Sequence, residues 1–388
     1  MKTNTPTLRF PEFTDEWQEN KLGDIADVKG GKRIPIGYSL LSEDNGLPYI
    51  TVSGMENGGI DFDEVKFVPK EVAKQIQDYK ISVKDIYVSV AGTLGLIGVI
   101  PPELDGANLT ENANKLTNIK TNRDYLLQYL KSSRFNKLVK NVKTDNAQPK
   151  LAIYAIKCFK VSVPSKQEQQ KIANFLTVVD EKINKLEEKK KGFEKYKKGV
   201  IQAIFSQKIR FNKPNGSDYP NWEEKKLGEL LDYEQPTKYI VRSTEYSNDH
   251  KIPVLTAGKS FILGYTNETD GLYNDFPVII FDDFTTTSQF VNFPFKVKSS
   301  AMKILKAKSD ADIKFIFEAI QQIKYEIGGH GRHWISKYSN IKILVPSLQE
   351  QEKIAGFLTS LDNKVDLINK KLEQAKVFKK GLLQQMFV

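Results

Sequence analysis

VPSKQEQQKIANFL, residues 163–176, returns near the other end of the chain as VPSLQEQEKIAGFL, residues 345–358. Eleven of the fourteen positions are identical in the two stretches. The likeness extends further, because residues 161–206 align without a gap on residues 343–388 with 20 of 46 positions identical. A repeat of this length indicates a duplicated structural unit.

Two shorter matches lie upstream of the repeat. WQENKLGDI (17–25) corresponds to WEEKKLGEL (222–230), and LPYITVSG (47–54) corresponds to IPVLTAGK (252–259). Matched residues are 205 positions apart here but 182 apart in the repeat, so the first variable region is longer by 23 residues. We predict two copies of one unit, a variable module followed by a helical segment; the alternative is duplication and drift in a structural protein. The predicted boundaries are 1–160, 161–206, 207–342 and 343–388.

The repeated stretch has the pattern of a strand end followed by a helix start. Proline after a run such as CFKVSV ends a strand. Ser165 and Ser347 are then placed as helix N-caps, with Glu168 and Glu350 three residues later. Serine followed at that spacing by glutamate is the capping-box pattern, in which each side chain binds the other's backbone N–H.

Beyond the cap, mostly apolar residues recur at alternating steps of four and three, which is a heptad pattern. The first copy has Ile172, Leu176, Val179, Ile183, Leu186, Lys190, Phe193, Lys197, Val200 and Ile204, and the second has Ile354, Leu358, Leu361, Val365, Ile368, Leu372, Ala375, Lys379, Leu382 and Met386. A helix of about 40 residues would be about 60 Å long.

A long helix with a narrow apolar face needs a partner helix, and the repeat makes the other copy the natural one. We predict an antiparallel coiled-coil pair with pseudo-two-fold symmetry; a coiled coil for self-association is the alternative. The predicted fold class is α+β, with each variable module a mostly antiparallel sheet plus helices.

Composition and charge bound the function only loosely. The 388 residues are 40% hydrophobic and carry a net charge of +10. Residues 161–210 hold 12 basic and 6 acidic groups, so much of the excess lies on one segment and is mild support for a nucleic-acid partner. The N-terminus lacks a leader pattern and no apolar run reaches membrane-spanning length, so we expect a cytoplasmic protein. The single cysteine, Cys158, is expected as a buried thiol on a strand.

Two similar modules held at a fixed separation suit two half-sites on one DNA duplex. The double VPS-x-QEQ-x-KIA-x-FL segment, with LRFPEF…W…KLGDI and IRFNKP…W…KLGEL before the modules, resembles the specificity (S) subunit of type I restriction-modification systems over essentially the whole chain. The resemblance implies that each module is a target recognition domain that reads one half of a bipartite DNA site. It also implies that the helices set the spacing and bind two methylation subunits, that restriction subunits join them, and that these partners bring S-adenosylmethionine, ATP and Mg²⁺.

The sequence gives no sign of chemistry within the chain. It has no Asn-Pro-Pro-Tyr-like or Asp-Pro-Pro-Tyr-like methylation motif, and TAGKS (256–260) lacks the first glycine of a phosphate-binding loop. The three histidines lack metal-ligand spacing, so no metal site is expected. We predict a non-catalytic DNA-recognition subunit; the alternatives are a two-module DNA-binding regulator or scaffold, and the recognition half of a fused methyltransferase.

Candidate DNA contacts in the first module lie in loops that carry basic or amide side chains, since these bind phosphates and base edges. The Gly-rich stretch 29–39 and a predicted strand-turn-strand at 89–98 are followed by DNAQPK (145–150). The candidates are Lys32, Arg33, Tyr38, Thr93, Gln148 and Lys150.

The second module has loops at matching positions. They are QPTKYIVRS (235–243), DFTTTSQF (283–290) and GGHGRHWIS (328–336). The candidates are Lys238, Arg242, Thr285, Thr286, Thr287, Gln289, His330, Arg332 and His333. Asp282 and Asp283 are interpreted as a strand-end turn rather than as contacts to cytosine.

The repeated QEQ triplet is a candidate partner-binding surface, on the expectation that it is exposed at the helix start. Its residues are Gln167, Glu168, Gln169, Gln349, Glu350 and Gln351. The pattern leaves open whether these side chains only cap the helices or also contact the methylation subunits.

Overall fold

The computed structural model describes residues 5–143, 150–258, 260–325 and 333–388. The chain forms two compact units, one of Met1–Glu188 with Lys370–Val388 and the other of Lys189–Asn369. Both boundaries fall inside the long helices. Each unit therefore holds one variable module, the first part of one long helix and the last part of the other.

The elements of the first module lead into the first long helix. In chain order they are β1 (Gln18–Lys21), α1 (Leu22–Ile25), β2 (Asp27–Gly30), β3 (Pro48–Ile50), β4 (Lys66–Phe67), β5 (Ile86–Ser89), β6 (Ile97–Gly98), β7 (Asn108–Leu109), β8 (Ala113–Thr117), α2 (Arg123–Leu130), α3 (Ser133–Lys143), α4 (Ile153–Cys158), β9 (Lys160–Val163) and the long helix α5 (Lys166–Phe205).

The second module has the same sequence of strands. Its elements are β10 (Glu223–Lys226), α6 (Leu227–Leu230), β11 (Leu231–Glu234), β12 (Ile252–Leu255), β13 (Ile262–Thr266), β14 (Val278–Asp282), β15 (Ser288–Val291), β16 (Lys296–Val297), β17 (Met302–Ala307), α7 (Ile313–Ile320), β18 (Lys342–Val345) and the long helix α8 (Leu348–Gln385).

The two modules have the same sheet topology in the described part of the chain. A four-stranded sheet of order β2-β8-β5-β6 matches β11-β17-β14-β15, and a three-stranded sheet of order β4-β3-β7 matches β13-β12-β16. The short pairs β1-β9 and β10-β18 also correspond. Pairing is antiparallel except between β3 and β7 and between β12 and β16. The predicted α+β fold and the predicted duplication are confirmed.

The central strands alternate between two apolar clusters. On β14, Ile279 and Phe281 pack into a cluster with Phe315 of α7, whereas Val278 and Ile280 pack into another around Phe295. Successive side chains of a strand point to opposite faces, so both faces of this strand are buried. That is why it appears in the sequence as an unbroken apolar run.

The extra length of the first module lies in two places. Tyr49 and Val254, at equivalent positions in β3 and β12, are 205 residues apart. The N-cap residues of α2 and α7, Asn122 and Asp312, are 190 apart. Over the repeated segment, equivalent residues of the two copies are 182 positions apart. Fifteen extra residues thus lie between β3 and α2, and eight between α2 and β9, where α3 has no counterpart in the described part of the second module.

The long helices are antiparallel within each unit. In the first unit, Asp180 and Glu187 of α5 form ion pairs with Lys379 and Lys376 of α8, so the numbers rise on one helix as they fall on the other. In the second unit, Lys197 of α5 pairs with Asp362 of α8. Lys197 and Lys379, which interrupt the apolar heptad pattern, therefore each bind an aspartate of the facing helix.

Each module core receives both helix segments of its unit. The first core contains Ile172 and Leu176 of α5 with Leu382 of α8 and the C-terminal Phe387. The second core contains Ile354, Leu358 and Leu361 of α8 with Ile201 and Ile204 of α5. Cys158 lies at the end of the short helix α4 and is partly exposed, so the expectation of a buried strand cysteine was wrong.

Candidate DNA interface

The basic loop of the second module is exposed and its backbone is held in place. Lys238 lies in a one-turn helix, Pro236–Tyr239, and Arg242 follows it. The Val241 N–H donates to the carbonyl oxygen of Val297, at 3.0 Å. The N–H groups of Arg242 and Ser243 both donate to Oε1 of Glu268, at 3.0 and 2.9 Å. Both predicted cations therefore stand on a surface loop whose main chain is fixed.

A buried lysine lies beneath this loop. Lys296 of β16 is 1% exposed. Its Nζ lies 2.8 Å from Oε2 of Glu268 and donates to the carbonyl oxygen of Asp270 at 2.7 Å. The hydrogen bond from Lys296, followed by that from the Ser243 N–H, lowers the pKa of Glu268 to about 2. Sequence reasoning missed Lys296; the available signal was a lysine between apolar residues in FPFKV.

The basic loop of the first module is held differently. The Lys32 N–H donates to the Leu109 carbonyl at 2.8 Å, and the Tyr49 hydroxyl donates to the Lys32 carbonyl at 2.8 Å. Arg33 Nε lies 2.7 Å from a carboxylate oxygen of Glu111. Burial alone would raise the pKa of Glu111, but hydrogen bonds from Arg33 and Thr110 outweigh it and lower that pKa.

The predicted contact residues of this loop are exposed, and their contact with DNA stays a prediction. Lys32, Arg33 and Tyr38 are all exposed, Tyr38 to 45%. A Cβ atom on Gly31 would lie 2.1 Å from the Thr110 carbonyl oxygen, so only glycine lets the loop leave β2 at this point. Ile36, at the centre of the loop, is fully exposed, which the sequence did not single out.

The predicted strand-turn-strand around Thr93 is confirmed as β5, a tight turn and β6. The Ser89 hydroxyl donates to the Thr93 carbonyl at 2.5 Å and accepts the Leu96 N–H at 2.8 Å. Thr93 is exposed at the turn. Its contact with DNA stays a prediction.

The stretch after β14 is the strand-end turn that the sequence predicted. Asp282 Oδ1 accepts the N–H groups of Phe284 and Thr285, at 2.9 and 2.8 Å. Asp283 is 1% exposed and its carboxylate accepts the Trp334 N–H at 2.8 Å. Neither aspartate is therefore placed for base contacts. Of the candidate side chains in and after this turn, Thr285 and Thr287 are exposed, while Thr286 and Gln289 are half-buried.

Three candidates, Gln148, His330 and Arg332, lie outside the described residues. Lys150 is exposed, as expected for a contact residue. His333 is only 2% exposed, and its Nδ1 lies 3.3 Å from the Tyr325 hydroxyl. The expectation that His333 lies on the surface was wrong, because its backbone N–H binds the Asp283 carbonyl and draws the residue into the core.

The glutamate of each QEQ triplet is buried and bound by an arginine. Arg9 reaches both oxygens of Glu168 at 2.8 Å, and Arg210 reaches both oxygens of Glu350 at 3.2 and 2.7 Å. The Glu168 N–H does donate to the Ser165 hydroxyl, at 3.3 Å. The Ser347 hydroxyl of the second copy has no hydrogen-bond partner among the described residues, and both carboxylates bind arginines instead of the backbone. The predicted capping box is therefore half formed in the first copy and was wrong for the second. The bonds to the carboxylates raise the pKa of both guanidinium groups.

The second glutamine of each triplet joins the long helix to a module helix. Gln169 donates to the Pro164 carbonyl at 2.8 Å and accepts the N–H of Asn122, the N-cap of α2, at 2.8 Å. Gln351 makes the same bonds to Pro346 and to Asp312, the N-cap of α7, at 3.0 and 2.9 Å.

The expectation that the triplets are exposed was therefore wrong for four residues. Glu168, Gln169, Glu350 and Gln351 are each at most 3% exposed. Gln167 and Gln349 are exposed, and their contact with a partner stays a prediction. The signal for the buried pairs was in the repeat: Arg9 and Arg210 occupy the same place in LRF and IRF.

Comparison with known proteins decides the family. A family model described as the type I restriction modification DNA specificity domain matches residues 14–192 and again residues 219–377. The chain belongs to this family. It is a specificity subunit and is not itself catalytic, as the sequence predicted.

Relatives of this specificity subunit carry the same description. The EcoR124I/EcoR124II specificity subunit of Escherichia coli is 50% identical over 133 residues, which cover 33% of each chain. A putative type I restriction enzyme specificity subunit, MjaX, of Methanocaldococcus jannaschii is 26% identical over 415 residues, covering 98% of this chain and 95% of that one. The crystal structure of the S subunit from M. genitalium has a TM-score of 0.66 at 18% identity and covers 99% of both chains, which shows a shared fold.

The described residues offer neither a membrane segment nor a metal cluster. None of their helices combines the length and the apolar character that crossing a bilayer needs. They also contain no group of three or more His, Cys, Asp or Glu side chains placed to hold a metal ion.

Proposed function

We propose that each module of this specificity subunit reads one half of a bipartite DNA site. The observation that supports this most is the equivalent placement of two dissimilar basic loops. Lys32 and Arg33 follow β2, and the Lys32 N–H donates to the Leu109 carbonyl of β7. Lys238 and Arg242 follow β11, and the N–H of Val241, which lies between them, donates to the Val297 carbonyl of β16. One scaffold thus presents two different surfaces, which suits a target whose halves differ.

The side chains divide into two roles by their chemistry. The cations Lys32, Arg33, Lys238 and Arg242 suit phosphate oxygens, which supply affinity without sequence information. Thr93, Thr285, Thr287 and Gln289 carry hydroxyl or amide groups that suit base edges in the major groove. Specificity would then reside mainly in the second set.

The long helices are proposed to set the distance between the two half-sites and to bind two methylation subunits. Restriction subunits would join this assembly. S-adenosylmethionine, ATP and Mg²⁺ belong to these partners rather than to this chain, and the complex would work in the cytoplasm. The exposed Gln167 and Gln349 stay candidate contacts with the methylation subunits.

The test is to express the chain with its methylation subunit in a host that lacks other methylation and to sequence the modified bases. We expect adenine methylation in a split motif with two unequal halves and a fixed gap. The methylation subunit alone is the control and should leave the genome unmodified. A continuous motif, or methyl transfer by the purified chain alone, would contradict the proposal.

A further inference from the structure

We propose that the buried Lys296 is a positioning residue for DNA binding by the second module. It acts through Glu268 and Asp270 on the loop that carries Lys238 and Arg242. This inference rests on the proposed function, because it concerns how a proposed contact loop is held. Lys296 itself is 1% exposed and cannot reach a phosphate.

The first step concerns the groups that bind the two oxygens of the Glu268 carboxylate. Oε2 faces the Lys296 ammonium at 2.8 Å, while Oε1 accepts the backbone N–H groups of Arg242 and Ser243; the Arg242 N–H also lies 3.2 Å from Oε2. A carboxylate bound on both oxygens has little freedom to rotate. The ammonium therefore fixes the acceptor on which the loop backbone rests.

The second step is the segment that follows Glu268. Lys296 also donates to the Asp270 carbonyl at 2.7 Å, and the Asp270 carboxylate binds the Arg242 guanidinium. Gly271 has φ +60°, and a Cβ atom there would lie 2.3 Å from the Lys238 carbonyl oxygen. Residues 268–271 thus contact the loop at both of its cations, and one buried ammonium holds the segment.

The third step is the comparison with the first module. By strand register Lys296 of β16 pairs with Val254, as Asn108 of β7 pairs with Tyr49. Asn108 is also buried, at 5% exposed, but it is uncharged and donates to the Ile76 carbonyl. The same position folds without an ion pair in the other module. A buried ammonium is costly unless it is paired. Because the same position folds without one in the first module, we infer that Lys296 serves to hold the loop and is not needed to form the sheet.

The experiment uses the full chain in complex with its methylation subunit. The probe is a DNA duplex that contains the sequence motif found by sequencing the modified bases. Lys296→Met should weaken binding about tenfold, as expected for loss of a phosphate contact, and lower the salt slope of the binding constant by about one. Arg242→Met should do the same. The double variant should bind no worse than Lys296→Met alone, because Lys296 acts through the loop that carries Arg242.

The matched control is Lys314→Met. Lys314 is also largely buried and ion-paired, to Glu318 at 2.6 Å and Asp362 at 2.7 Å, but it lies on α7 against the long helix. It should lower stability and leave the salt slope unchanged. Glu268→Gln is the second variant, because it keeps an oxygen for the backbone N–H groups and is isosteric. If Lys296→Met does not fold, Glu268→Gln carries the test, and it should weaken binding in the same way.

Three results would overturn the inference. One is that Lys296→Met binds DNA with the affinity and salt slope of the wild type. Another is that the losses of binding free energy in Lys296→Met and Arg242→Met simply add in the double variant. The third is an unfolded Lys296→Met together with a Glu268→Gln variant that binds as wild type. Failure of the wild-type complex to bind the duplex would instead contradict the proposed function, and that result is distinguishable from all three.

Discussion

At the scale of single residues, ion pairs that include a buried group connect segments that are far apart in the sequence. Glu268 binds Lys296, 28 positions later, and the backbone of Arg242, 26 positions earlier. Arg9 and Glu168 are 159 positions apart. Charged groups leave water in a fold only when they are paired and hydrogen-bonded. The positions of these ion pairs therefore show where segments distant in the sequence must come together in the fold.

The low pKa of Glu268 gives a pH prediction. Its pKa is about 2 in the folded chain, whereas an unfolded glutamate titrates near about 4.3. The unfolded state therefore binds more protons between these values, so the stabilisation is present above about pH 4.3 and is lost as the pH falls toward 2.

The measurement compares wild type with Glu268→Gln in urea unfolding at a series of pH values. The difference in unfolding free energy should be largest near neutral pH and should shrink as the pH falls from about 4.3. Glu245→Gln, at an exposed position of the same module, is the control. A difference that stays constant with pH would show that the carboxylate charge is not what stabilises the loop.

At the scale of elements, the decisive feature is how each long helix begins. The buried glutamate binds the arginine of the preceding arm, and the following glutamine binds the N-cap of a module helix. Three segments thus meet at the first turn of α5, and three at the first turn of α8. The repeat preserves the triplet because the same junction is made twice.

This arrangement predicts a large effect of Arg9→Met. It would leave Glu168, 1% exposed, as a buried unpaired charge and should lower the free energy of unfolding by about 3 kcal/mol. Arg210→Met should have a similar effect through Glu350. Urea unfolding measures the loss, and hydrogen exchange over residues 166–176 should locate it at the start of α5.

Two further variants test the reason for that effect. Lys171→Met removes a cation that is exposed on the same helix and should cost less than about 1 kcal/mol. Arg9→Met/Glu168→Met replaces the pair by apolar side chains and should recover much of the stability. If Arg9→Met costs no more than Lys171→Met, the buried ion pair does not hold the junction.

At the scale of the whole molecule, the long helices combine apolar packing with ion pairs that specify register. Asp180 of α5 is equivalent to Asp362 of α8 in the repeat, and Lys197 is equivalent to Lys379. The Asp180–Lys379 and Lys197–Asp362 ion pairs are therefore two copies of one contact. Polar residues at heptad positions restrict the register of a coiled coil at some cost in stability. A fixed register is what a spacer between two half-sites would need.

This leads to a prediction about spacing. Removing seven residues at facing positions of α5 and α8 preserves the heptad pattern and shortens each helix by about 10 Å. At about 3.4 Å per base pair, the gap in the methylated motif should fall by about three base pairs while both halves stay the same. Methylome sequencing of the variant complex measures this directly.

The matched control removes seven residues from α5 alone. It breaks the facing register and should abolish methylation rather than shift the gap. An unchanged gap in the paired deletion would show that the helices do not set the spacing.

Much of the architecture follows from the sequence because its signals are local or repeated. Heptad spacing predicted α5 and α8, which begin one residue after Ser165 and Ser347. Turn residues predicted the hairpin at Ser89–Gly98 and the turn at Asp282. The repeat predicted that both modules share one topology. Each of these depends on neighbours in the chain or on likeness between two stretches.

Burial and partnership were decided only by the tertiary structure. The sequence alone led us to place the QEQ triplets and His333 at the surface, because glutamine, glutamate and histidine are polar. Glu168, Gln169 and His333 are nevertheless buried, because residues far away in the sequence bind them: Arg9 the Glu168 carboxylate, Asn122 the Gln169 side chain and Asp283 the His333 backbone. Lys296 was missed for the same reason: whether a strand lysine faces water or Glu268 depends on which strands pair, and residue spacing carries no information about that.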